Sequence, residues 1–280
     1  MGKLHACFVV AILAFAGAGC DGDNAAADAA IKLIDAAPDA KEFLDAPPPM
    51  YDFTCMGNAA PTTAAGQITL SGTVRQVNFT GSISVDPLDG AAVRSCTAGA
   101  ANCTGGNTQG NDTSDAMGDW SIGPISTSMN PLDVYLEASK TGSRTLYLYP
   151  ASPFIADQGM IPMLTFAPSV ISGLAIIPGG CTQSASNGMI AVAVTDCGVQ
   201  PITENLVISI KQGGNEVTGT TVIDLGSLSA MAAGVFLVCN VPPNPTTTVG
   251  ATYNATTAMR AHDVKVVADT TTATLLRPGY

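Results

Sequence analysis

The chain has 280 residues and carries 22 acidic against 11 basic side chains, a net charge of −11. That balance argues against nucleic acid and anionic membrane faces as partners held by charge. Eight cysteines make disulfides in an oxidising compartment the first expectation, provided a leader directs the chain there.

Such a leader opens the sequence. Lys3 and His5 form a short polar region and an apolar run follows from Ala6 to Ala16. The run is too short to cross roughly 30 Å of hydrocarbon as a helix and reads as a secretory signal peptide. Gly17-Ala18-Gly19-Cys20 resembles a bacterial lipobox, with Gly17 where Leu is usual. The resemblance implies that Cys20 is acylated and becomes the mature N-terminus. The competing cut, after Ala18, fits the small-x-small pattern and would release a soluble protein. Cysteine parity bears on the choice. With Cys7 gone in the leader and Cys20 lipidated, an even set remains: Cys55, Cys96, Cys103, Cys181, Cys197 and Cys239. With Cys20 free, one thiol is stranded.

Residues 21–53 are rich in Ala, Asp and Pro, with eight acids against Lys32 and Lys41 and a triple proline at Pro47 to Pro49. Ile31, Leu33 and Ile34 could start a helix, but Pro38 ends it and no apolar face persists. Such a segment cannot offset its ordering entropy by burial, so it is expected to be a disordered acidic tether. Prolines and like charges would hold it extended.

From Thr54 the pattern becomes all-β. Period-two alternation recurs at Ile68-Leu70-Gly72-Val74, Trp120-Ile122, Val134-Leu136-Ala138, Ile190-Val192-Val194, Leu206-Ile208-Ile210 and Val264-Val266-Ala268. Turn signals such as Asp89-Gly90 and Gly213-Gly214-Asn215 separate the runs. Ser169–Ile177 fits either a short helix or a strand. A faint repeat relates the two halves: an alternating strand, a variable loop, a Gly-led apolar strand, an extended strand, an Arg, and a closing strand. The resulting division is a leader over 1–19, the lipidated cysteine and linker over 20–53, one β-sandwich over 54–168, a connector over 169–186 and a second over 187–280.

Four segments carry a family resemblance. They are Ser71-Gly72-Thr73-Val74 and Ser114-Asp115-Ala116-Met117-Gly118-Asp119-Trp120 in the first half, and Cys197 to Val207 and Gly234-Val235-Phe236 in the second. Their order resembles the carboxypeptidase regulatory-like domain, which implies two tandem transthyretin-like or immunoglobulin-like sandwiches. The first copy departs by an insertion around Cys96 to Gly110, and the second by Leu206 where Ala is usual. The family is a non-catalytic appendage, so the resemblance speaks for fold and says little of function.

Chemical motifs are sparse. After the leader one histidine remains, His262, too few for a zinc carboxypeptidase site. No His-Glu-x-x-His, Cys-x-x-Cys, Gly-x-Ser-x-Gly or Walker-type run occurs. His262-Asp263 beside many serines suggests two thirds of a triad, with a turn or strand-edge pair as the plainer reading. Asp112, Asp115 and Asp119 offer oxygen atoms suited to calcium, though their spacing is not that of an EF-hand and turn chemistry accounts for them. Tyr147 and Tyr149 share one face of a strand and form a candidate ligand face, whereas Trp120 on its alternating strand is expected in the core. Cys96–Cys103 is expected as a local bridge, Cys197–Cys239 as a staple of the second sandwich, and Cys55–Cys181 as the remaining pair.

These readings converge on a non-enzymatic lipoprotein of the bacterial cell envelope, without cofactor. It would be anchored to the outer or inner membrane through acylated Cys20 and serve as a structural or binding module. The alternative is an adhesin-like module for an unknown protein or glycan partner.

Overall fold

A computed structural model of the chain describes residues 50–79, 83–177, 179–227 and 232–280. The leader, Cys20 and the linker up to residue 49 lie outside the described residues. The first half holds β1 (Gln67–Phe79), β2 (Ile83–Pro87), β3 (Ala92–Thr97), β4 (Thr108–Thr113), β5 (Asp119–Ser126), β6 (Val134–Ser139), β7 (Leu146–Tyr149) and β8 (Gln158–Phe166). A short helix, α1 (Pro168–Gly173), runs into a 3-10 turn at Leu174–Ile176. The second half holds β9 (Gly188–Val194), β10 (Leu206–Gln212), β11 (Asn215–Glu216), β12 (Thr221–Asp224), β13 (Val235–Val241), β14 (Asn244–Tyr253), β15 (Thr257–Ala258), β16 (His262–Val266) and β17 (Thr271–Leu276).

The fold is all-β and layered as β-sandwiches. An eight-stranded sheet runs in the order β12-β13-β9-β17-β7-β6-β3-β4. Strands of both halves therefore share one sheet. The seam is β17, which pairs in parallel with β7 (Thr272 opposite Tyr147) and with β9 (Thr272 opposite Ile190). β1 anchors a second sheet, paired antiparallel to β2 and β5 and parallel to β8. β14 anchors a third, with β10, β15 and β16 antiparallel to it and β11 closing the far side of β10.

Residue alternation shows how the layers stack. In β9, Met189, Ala191 and Ala193 join the core that β1, β5 and β8 cover, with Leu70, Val74, Trp120, Ile122 and Met163. Ile190, Val192 and Val194, on the other face, join the core covered by β10, β14 and β16, with Ile210, Val249 and Val264. Strands buried on both faces read as continuous apolar runs, which is why all seven residues of β9 are buried. Each outer sheet thus completes a sandwich on an opposite face of the shared middle sheet. At Gly72 the layer is especially tight, since a Cβ there would stand 2.0 Å from the Ile161 carbonyl oxygen in β8.

The ambiguous Ser169–Ile177 segment is helical. Pro168 suits the first helical position, and Val170 and Leu174 bury against the first core.

Three disulfides close the structure: Cys55–Cys197, Cys96–Cys103 and Cys181–Cys239. The expected Cys197–Cys239 and Cys55–Cys181 pairs are exchanged. Cys239 lies on β13 with its side chain on the face that carries the connector, whereas Cys197 follows β9 at the end where the N-terminal segment arrives. There Asp52 N–H donates to the Asp196 carboxylate at 2.8 Å and Cys197 N–H donates to the Asp52 carbonyl at 2.8 Å. Tyr51 and Phe53 add ring contacts to Tyr253 at 5.4 Å each.

Candidate functional site

Two polar constellations lie between the middle sheet and the third sheet. The first is a lysine enclosed by aromatic rings. Tyr135 on β6 and Tyr147 and Tyr149 on β7 point to the same face, because strand alternation sends Leu136, Leu146 and Leu148 to the other. Lys265, on β16, lies over that face. Its Nζ donates to the Tyr135 hydroxyl at 2.8 Å and stands 4.4 Å and 4.0 Å from the ring centres of Tyr135 and Tyr147. The Lys265 backbone N–H donates to the Tyr149 hydroxyl at 3.1 Å. Burial pulls the Lys265 ammonium below the usual lysine range while Glu137 opposes it. Burial also pushes the Tyr147 and Tyr149 phenols up to about 12. Cation–π contact and the phenol acceptor together compensate part of the cost of burying this charge.

These positions correct the expected ligand face. Tyr147 and Tyr149 are 9 % and 7 % exposed and belong to the core beneath the third sheet. Alternation places them on one face, as expected; it carries no information about the sheet that covers that face. Trp120 is buried at 3 % exposure.

The second constellation is an open cleft of about 360 Å³ beside this cage, walled by Asp133, Pro150 to Pro153, Arg260, His262 and Tyr280. The Arg260 guanidinium stacks over the Tyr280 ring at 3.9 Å. His262 is buried, and its Nδ1 lies 3.0 Å from the Thr274 hydroxyl on β17. Its pKa is pushed down to about 4, first by burial and then by the charge of Arg260. The imidazole is therefore neutral at physiological pH. Asp263 lies on the exposed face of β16 and accepts from the Thr248 hydroxyl at 2.6 Å, so the pair does not form two thirds of a triad.

His262 makes stability depend on acidity. The folded state holds a neutral ring, while the unfolded chain titrates near 6.5 and binds a proton the folded state refuses. Stability from this residue is complete above about pH 6.5 and is lost as pH falls towards 4, amounting to about 3 kcal/mol. Chemical denaturation of the His262→Gln variant across pH 4 to 7 should show a flatter profile than the parent. Parallel profiles would rule the assignment out.

The candidate calcium ligands serve the turn instead. Asp115 accepts from the N–H groups of Met117 and Asp119 at 2.9 Å each, and Asp112 accepts from Ser121 N–H at 2.6 Å. Among the described residues no three His, Cys, Asp or Glu side chains converge as a metal site. The loop has the Asx-turn chemistry that its Asp and Gly content suggests.

Three disulfides mark the folded part as extracytoplasmic. Among the described residues no helix is long and apolar enough to cross a membrane.

No protein-family model and no curated protein matches the chain. Among solved structures it is similar to a chain of a type II cohesin–X–dockerin complex from Acetivibrio cellulolyticus, with 14 % identity and a TM-score of 0.25. The match covers 36 % of this chain and 58 % of that one, so the chain spans little more than half of that relative's length. A shaft pilin from Lactobacillus rhamnosus GG is similar at 12 % identity and a TM-score of 0.24, over 76 % of this chain and 98 % of the pilin. The TIE protein of Bacillus anthracis is similar at 9 % identity and a TM-score of 0.21, over 75 % of this chain and 33 % of that one.

Proposed function

We propose that the chain is a non-enzymatic lipoprotein of the bacterial cell envelope, a structural or binding module held to the membrane through acylated Cys20. In this reading residues 1–19 are the removed leader and residues 21–53 the tether. Residues 54–168 and 187–280, joined by the connector 169–186, are two copies of the carboxypeptidase regulatory-like type that share the middle sheet between them. The observation that carries the reading is the cysteine pairing. Cys55, Cys96, Cys103, Cys181, Cys197 and Cys239 pair among themselves, the even set expected when Cys20 carries lipid. Two or three acyl chains would make anchoring effectively permanent at about 0.8 kcal/mol per buried methylene.

The tether also enters at a reinforced point. The Cys55–Cys197 bridge spans 142 residues of sequence, so tension arriving at Cys55 passes directly to the end of β9 in the second half. That suits a module held at its N-terminus. With Tyr147 and Tyr149 buried, the aromatic face that would favour the adhesin-like alternative is covered.

Mass spectrometry of the mature N-terminus tests the proposal. A diacylglyceryl-modified Cys20 is expected, together with loss of membrane association in the Cys20→Ser variant. An unmodified N-terminus at Gly19 would sink it.

A further inference from the structure

A further cavity lies away from both constellations, where the β6–β7 loop, α1 and the β16–β17 turn meet. It measures about 620 Å³, within the range of small-ligand sites. Arg144 lines it and is only 5 % exposed, and its Nε and Nη1 atoms lack a hydrogen-bond partner among the described residues. A charged group buried without matched acceptors is costly and ordinarily has a reason. Among the described residues its one charged neighbour is Asp269, whose carboxylate meets Nη2 alone, at 3.2 Å, and leaves Nε and Nη1 without an acceptor. That carboxylate is 72 % exposed and sits on a turn at φ 57°, just before the seam strand. Asp269 thus covers the guanidinium loosely from the solvent side.

We propose that this cavity binds a small sugar acid of the uronate type, whose carboxylate takes the place of Asp269 on Arg144. A planar guanidinium fork matches a carboxylate in two parallel hydrogen bonds, which the Asp269 contact does not achieve. Among the described residues only one cation lines the cavity, so a singly charged carboxylate is matched where a dianionic phosphate would bring a second, uncompensated charge. The remaining polar wall, Ser143, Thr145, Ser172, Thr182 and Gln183, is neutral and rich in hydroxyl groups. That lining suits a ligand that itself carries hydroxyls. The site does not depend on how the N-terminus is anchored.

Isothermal titration of the full mature chain with sodium glucuronate, against glucose at matched ionic strength, tests the site. Saturable heat is expected with glucuronate and none with glucose. Asp269→Asn should tighten glucuronate binding about two- to fivefold, the strength of a solvent-exposed ion pair. Arg144→Lys should abolish it, because a point charge cannot reproduce the fork. Absence of glucuronate binding in both the parent and Asp269→Asn would overturn the proposal, as would equal heat with glucose. So would weaker binding in Asp269→Asn. Because that variant leaves the buried arginine in place, it decides the matter even if Arg144→Lys fails to fold.

Discussion

Replacing Thr272 by proline is expected to unfold both halves of the molecule together. Thr272 is fully buried at the centre of β17, flanked by Tyr147 of β7 and Ile190 of β9. Proline there removes a ladder donor and forces its ring against a neighbouring strand, at a cost of about 3 kcal/mol or more. It also removes the Thr272 hydroxyl, which donates to the Lys265 carbonyl at 2.7 Å and contributes about 1 kcal/mol. The sum, about 4 kcal/mol or more, approaches the lower end of ordinary domain stability, about 5 to 15 kcal/mol. Circular dichroism should show loss of tertiary signal throughout the chain. The Thr272→Val variant, which keeps the strand and loses only the hydroxyl, should fold with a loss near ~1 kcal/mol. If the proline variant kept the tertiary signal of either half intact, the seam role of β17 would be wrong.

The second large effect concerns the enclosed lysine. Tyr135→Phe removes the phenol that accepts from Lys265 Nζ and leaves a buried ammonium short of a partner, costing about 2 kcal/mol. Lys265→Met removes the charge and keeps most of the volume, so it should lie within about 1 kcal/mol of the parent. In that background Tyr135→Phe should cost little, because the phenol has lost its donor. Urea denaturation of the two single variants and the double variant therefore forms a cycle with a coupling of about 2 kcal/mol. Additive losses would mean that the contact contributes nothing to stability.

Much of this architecture is legible in the sequence. The alternating runs at Ile68–Val74, Trp120–Ile122, Val134–Ala138, Ile190–Val194 and Leu206–Ile210 fall in β1, β5, β6, β9 and β10. The seam is the element the pattern hides. Thr271-Thr272-Ala273-Thr274-Leu275-Leu276 has no polar face to alternate with an apolar one, since both of its faces are covered. Thr271, Thr272 and Thr274 are buried nonetheless. Thr272 bonds the Lys265 carbonyl, and the Thr274 hydroxyl meets His262 Nδ1. Threonine reads as surface in a composition and as core here because a β-branched methyl packs while the hydroxyl finds a partner.

The site residues follow the same logic. Strand alternation puts Tyr147 and Tyr149 on the correct face, but a face reads as exposed until the covering sheet is known. Arg144 is legible only as the Arg of the faint repeat and offers no signal of a site, being an isolated arginine in a turn-like Ser-Arg-Thr stretch. Its significance comes from Asp269, far along the chain, which only the fold brings to it. Beyond the local Cys96–Cys103 bridge, which forms as expected, the cysteine pairing is illegible for a related reason. Any pairing of six cysteines satisfies parity, and only the strand order puts Cys239 near Cys181 and Cys197 near the segment that carries Cys55.

Scanning calorimetry of the mature, oxidised chain tests most directly the claim that one sheet unites the halves. A single transition is expected, with calorimetric and van't Hoff enthalpies in agreement. Two separable transitions, each assignable to one half, would contradict it.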